Sequence, residues 1–159
     1  MNRNVIAVVA LSLLLVGCSG LKPYRSSHEK NLFITTDTEQ GFFSGVDAAL
    51  DIYSMRTECD VDYQGTVELS NSRVEVGLPQ GVPAWLVFRF ESSAFFSNTR
   101  SSMGYDVALY PEYGQVYDVN VSYHDNIYNV EVAERRRGGS DAERLMVGMV
   151  ERACGGEST

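Results

Sequence analysis

The chain of 159 residues carries 13 Lys plus Arg against 21 Asp plus Glu, for a net charge of −8 with His neutral, and 44% of its residues are hydrophobic. Overall charge of this sign repels nucleic acid and anionic lipid headgroups, which argues against binding to either driven by net charge. The length suits one domain with a substantial core and leaves no room for a second of ordinary size.

In chain order, Met1 to Asn4 carry one positive side chain, Arg3, and Val5 to Val16 are apolar except for Ser12. A charged start and an apolar run of this length read as a secretory signal, too short to span a bilayer comfortably. The residues that follow, Leu15, Val16, Gly17 and Cys18, resemble the lipobox of bacterial lipoproteins. The resemblance implies a signal peptide over residues 1–17, removal of that peptide before Cys18, and a diacylglyceryl group on the Cys18 thiol. It also implies that the new amino end is often acylated. Each buried methylene contributes roughly 0.8 kcal/mol, so two or three acyl chains make a durable anchor. Ser19 stands where the family's inner-membrane retention signal places Asp, which favours the outer membrane, with the domain facing the periplasm.

Residues 19–30, SGLKPYRSSHEK, mix Ser, Gly, Pro and charge without apolar periodicity and read as part of a lipidated tether over 18–30, with His28 solvated. The remaining residues, 31–159, form a single domain. After Gly17 there are 12 Lys plus Arg (13 less Arg3) against 21 Asp plus Glu, so the mature chain stands near −9. With Cys18 given to lipid, Cys59 and Cys154 are left as a pair in an oxidising compartment, where a disulfide is the expected state. Two distant cysteines and two isolated histidines offer no metal-ligand spacing, so neither a metal nor a cofactor is expected.

From Asn31 the sequence alternates with period two between Gly, Pro, Asn and Asp breaks. Asn31 to Thr36 is a first strand. In the second, Val46, Ala48, Leu50 and Ile52 alternate with Asp47, Ala49, Asp51 and Tyr53, predicting one buried face and one acidic, solvated face. DYQGTVEL and RVEVGL follow, then a turn at Pro79 to Gly81. PAWLVFRF, the most hydrophobic strand, is expected to be central, with Ala84, Leu86, Phe88 and Phe90 on one face. Polar residues around Phe95 and Phe96 predict a long exposed loop over residues 91–102. YDVALY is the next strand, and QVYDVNVSY with IYNVEVAE reads as a hairpin.

The chain is expected to close with a helix over residues 140–154. Ser140 and Glu143 have capping-box spacing, Ala142, Leu145, Met146, Met149, Val150 and Ala153 form an apolar stripe, and Gly155 and Gly156 supply a stop. The fold class is therefore mainly β: an antiparallel sandwich of about six to eight strands with one C-terminal helix packed on it. Arg135, Arg136 and Arg137, just before that helix, read as a solvated linker, with lipopolysaccharide phosphate as an alternative ligand.

The segment from Leu78, Pro79 and Gly81 through VFRF to Gly114 and Tyr117 resembles the small envelope β-sandwich modules of the PEGA and carboxypeptidase-regulatory-like kind. That resemblance implies a sandwich fold and a non-catalytic scaffolding or binding role, with no active-site residues to carry over.

Chemistry is sparse. His124 beside Asp125 is turn composition rather than a catalytic pair, because no G-x-S-x-G serine or free cysteine accompanies it. No G-x-G-x-x-G or G-K-[ST] loop occurs. Asp47 with Asp51, and Asp60 with Asp62, share strand faces but lack the EF-hand pattern and read as solvated charge. Tyr105, Tyr110, Tyr113, Tyr117, Tyr123 and Tyr128 are strand residues first and a sugar-stacking surface second. The expected function is a non-enzymatic, outer-membrane-anchored lipoprotein that binds a protein or envelope polymer, with Phe95, Phe96 and the three arginines as candidate binding residues. A binder of small glycans or lipids is the alternative, ahead of a hydrolase relying on His124.

Overall fold

A computed structural model of the chain describes residues 21–38, 44–56, 60–69, 73–94, 100–124 and 127–145. Among them are nine strands: β1 (Leu32–Thr38), β2 (Ser44–Met55), β3 (Val61–Glu68), β4 (Arg73–Val76), β5 (Ala84–Ala94), β6 (Arg100–Leu109), β7 (Gln115–His124), β8 (Ile127–Arg136) and β9 (Ala142–Arg144). One sheet has the order β3-β2-β5-β6 and the other β4-β1-β7-β8-β9.

Strand alternation explains how the sheets face each other. Leu50 and Ile52 of β2, Leu86, Phe88 and Phe90 of β5, and Val107 and Leu109 of β6 are buried on one side. They form one core with Leu32 and Ile34 of β1, Val119 and Val121 of β7, and Val130 and Val132 of β8. The ring centroids of Phe90 and Tyr128 lie 4.7 Å apart across the two sheets. Each fully buried Leu or Phe contributes roughly 1.5–3 kcal/mol, so this shared layer is what holds the two sheets together. β5 is interior as expected, hydrogen-bonded to β2 on one side and β6 on the other.

Four expectations need correction. The sheets are not wholly antiparallel, because β1 pairs with β7 in parallel from Leu32↔Tyr117 to Thr38↔Tyr123. Period-two patterning is the same for either direction, so the sequence carried no sign of it. The expected loop over residues 91–102 is largely strand: β5 and β6 continue past the core and pair Ser92 with Ser101 and Ser93 with Arg100. Polar side chains do not prevent a backbone ladder, whose bonds join main-chain groups.

The third correction concerns the expected helix. Residues Ala142–Arg144 are a strand, β9, antiparallel to β8, and the Leu145 amide donates to the Val132 carbonyl at 2.8 Å. Without β9, the outer edge of β8 would be left unpaired. The Ser140 hydroxyl donates to the Asp141 carboxylate at 3.2 Å and caps no helix. Residues 146–154 lie outside the described residues, and among the described residues no helix occurs.

The fourth concerns the tether. Residues 22–31 are laid along the sandwich as a strap. Pro23 forms a parallel bridge with Thr66 of edge strand β3. The Tyr24 amide donates to the Thr66 carbonyl, and the Thr66 amide to the Lys22 carbonyl, both at 2.8 Å. Farther on, the Tyr24 hydroxyl donates to the Gly77 carbonyl at 2.8 Å. The fully buried Asn31 side chain then donates to the Leu78 carbonyl at 2.9 Å and accepts from its amide at 2.7 Å. Two glycines make this close approach possible. A Cβ on Gly65, whose φ is 143°, would stand 2.7 Å from the Tyr24 backbone, and one on Gly77 would collide with the His28 carbonyl. The strap covers the open edge of β3, where an unpaired strand invites association.

Candidate functional site

The outward face of the four-stranded sheet holds the most organised group of side chains. Period two puts Asp51 and Tyr53 of β2 there, opposite the face of Leu50 and Ile52. In β5 the same rule places Trp85, Val87 and Arg89 outward. A register shift between Ile52 and Tyr53 in the β2–β3 ladder leaves Tyr63 directly opposite Tyr53. Tyr53 in turn pairs with Trp85. The result is a row of three half-buried rings across β3, β2 and β5, with centroids 5.3 Å apart for Tyr63–Tyr53 and 4.8 Å for Tyr53–Trp85.

A polar chain braces this row. Arg89 donates from Nε to Asp51 Oδ2 at 2.5 Å and from Nη2 to Oδ1 at 3.2 Å. The Thr66 hydroxyl donates to Asp51 Oδ1. A hydroxyl has one proton, so the 2.5 Å contact between the Tyr63 and Thr66 hydroxyls has Tyr63 as donor. Asp51 is 8% exposed, so the expectation of a solvated acidic face fails at this residue while Asp47 remains exposed. The bond to Asp51 holds the Arg89 guanidinium above its ordinary pKa, against the opposing effect of burial. Burial, and secondarily the charge of Asp51, raises the pKa of Tyr53. At ordinary pH Tyr53 is therefore a neutral phenol beside a paired charge.

Beside the row, between the strap and the ends of β2 and β5, lies a cleft of about 220 Å³ lined by Tyr24, Arg25, His28, Tyr53, Gln64 and Pro83 among others. His28, expected to be solvated in a free tether, is exposed but borders this cleft.

The three arginines form no common surface. Arg135 donates from Nε to Asp118 at 2.5 Å and lies over the ring of Phe33, 5.9 Å from its centroid. Arg137 pairs with Glu29 at 3.1 Å and donates to the Lys30 carbonyl at 2.9 Å. Arg136 is exposed at the end of β8. The tyrosines are dispersed too. Tyr117 is 1% exposed, Tyr105, Tyr123 and Tyr128 pack against the core, and Tyr110 and Tyr113 are exposed.

His124 ends β7 opposite Ile127. Cys18, Cys59, Cys154, Phe95 and Phe96 lie outside the described residues. Among the described residues no group of three or more His, Cys, Asp or Glu is arranged to hold a metal ion. Sequence reasoning missed Tyr53, Tyr63 and Trp85 as a group. Alternation puts Tyr53 and Trp85 at outward positions, whereas Tyr63 shares its parity with Val67 and Leu69, and only the register shift brings it into line with the other two. Comparison with protein-family models, with curated proteins and with solved structures finds no match.

Proposed function

We propose that the chain is a non-enzymatic lipoprotein of the bacterial envelope, anchored at the outer membrane through lipid on Cys18, whose periplasmic sandwich binds a protein or envelope polymer. The observation that carries this reading is the Tyr63–Tyr53–Trp85 row on the outward sheet face. Aromatic rings held by a rigid scaffold supply contact area at little entropic cost, on sugar rings and protein partners alike. The Asp51–Arg89 pair adds directional polar contacts at its border. Both the lipobox resemblance and the PEGA-like resemblance agree with a binding role.

The test is chemical crosslinking in intact envelopes, comparing wild type with Tyr53→Ala and Tyr63→Ala. A saturable partner lost in these variants at wild-type abundance supports the reading, and capture that is indifferent to both substitutions counts against it. A second reading, a binder of small glycans or lipids, is favoured by the cleft beside Tyr53. Thermal shift against sugars, peptidoglycan fragments and lipids separates the two, because a ligand that binds only the folded state raises its midpoint. No observation favours a hydrolase built on His124.

A further inference from the structure

The strap fixes where the chain enters the domain. In a parallel bridge of Pro23 with Thr66, the residues before Pro23 run beside those before Thr66, towards the start of β3. That start belongs to one end of the sandwich, formed among the described residues by Arg56, Asp60 and residues 77–83, 110–114 and 137–141. Backbone bonds tie these loops together: Met55 to Pro83 at 2.9 Å, Gly81 to Pro111 at 2.7 Å, and Arg137 to Gly114 at 2.8 Å. The Tyr117 hydroxyl accepts from the Glu112 amide at 2.9 Å and shares its one proton between the Tyr110 carbonyl at 3.2 Å and Glu134 Oε1 at 3.1 Å, which stiffens the β6–β7 loop from beneath.

Among the described residues, apolar exposure is concentrated at this end. Among the described residues the large exposed hydrophobics are Leu21, Val61, Val82, Met103, Tyr110, Tyr113 and Ile127. Val61, Val82, Tyr110 and Tyr113 belong to this end, and Tyr110 and Tyr113 project from the stiffened loop with 56% and 79% of their surface free. From Cys18 to Leu21 the chain can span only about 10 Å.

We infer that this end of the sandwich seats on the membrane surface, with Tyr110 and Tyr113 in the headgroup layer. The inference rests on the proposed lipid anchor at Cys18 and states how the domain stands on it. An anchor so close to a strapped domain leaves little freedom to stand away from the bilayer. Tyr suits the interface because its ring is apolar and its hydroxyl stays wet. The chain's net negative charge means that apolar contact, not headgroup charge, drives the seating.

The experiment is hydroxyl-radical footprinting with peptide mass spectrometry on the lipidated protein in phosphatidylcholine vesicles. Its reference is the same mature chain carrying Cys18→Ala and exported by an ordinary signal peptide. Tyr110 and Tyr113 should be oxidised several-fold less in vesicles, with Met103 and Ile127 at the opposite end unchanged. Equal oxidation of all four in the two samples, with Cys18 shown acylated by its own peptide mass, overturns the seating while leaving the anchor in place. An unmodified Cys18 peptide overturns the anchor and the seating together.

Discussion

Asp51 shows how a single residue's environment depends on partners that its own strand does not reveal. Alternation puts it opposite Leu50 and Ile52, which in isolation reads as the wet side. In the β2–β5 ladder it stands opposite Val87, with Arg89 at the diagonal position. Removing Asp51 leaves Arg89 and Thr66 without their acceptor. Asp51→Ala is expected to lower stability by about 2 kcal/mol, below the range for a fully buried pair because the Arg89 side chain keeps 31% of its surface in water. Urea denaturation checks this; a midpoint equal to wild type would show the pair to be ornamental. Tyr117 makes a second prediction at this scale. Burial is the largest cause that pushes its phenol from 10.0 to about 12, against the Glu112 amide, which lowers it. The folded state thus favours the neutral phenol. That contribution is complete below pH 10 and is lost as pH rises to about 12. Stability should fall across that window, and Tyr117→Phe should flatten the fall while leaving a residue from Tyr24 and Tyr53, whose pKa values are also raised.

At the scale of elements, eight strands were legible because each carries its own period-two signal between turn residues. β9 was not, since three exposed residues have no alternation to display and the S-x-x-E spacing around them fits a helix start equally well. The strap was invisible for a different reason. Its attachment uses backbone groups, the polar ends of Tyr24 and Asn31, and the absence of side chains at Gly65 and Gly77, none of which leaves a hydrophobic pattern. A prediction follows from that absence. Gly77→Ala forces the strap away from β4, at an expected cost of about 2–3 kcal/mol, in the range for overpacking a tight contact. The Tyr24→Ala variant separately removes the bond to Gly77 and the packing of its ring against the core. Both substitutions loosen the same strap, so denaturation of the double variant should give a loss smaller than the sum of the two. Strict additivity would mean that strap and sheet are energetically independent.

For the whole molecule, the sequence conveyed the two-layer architecture and the identity of most of the core, because hydrophobic alternation reports burial directly. It could not convey how the layers are ordered, since the parallel β1–β7 pair and the Tyr63–Tyr53–Trp85 row are products of register and topology. One closure of the molecule is the strap, which joins the β3 edge of one sheet to the β4 edge of the other. We propose a second, a Cys59–Cys154 disulfide, which would tie the segment between β2 and β3 to the C-terminal residues. The bridge would close a loop of 95 residues (154 less 59). A loop of that length removes about 4–5 kcal/mol of unfolded-state freedom on the chain-entropy estimate. Intact mass of the protein from its native membrane, before and after reduction, should rise by about two hydrogens, the change for opening one disulfide. Reduction should also lower the urea midpoint, because the unfolded state regains the freedom that the bridge withheld. Two thiols that alkylate fully without reductant would show that no covalent closure exists and that the core and the strap alone hold the sandwich.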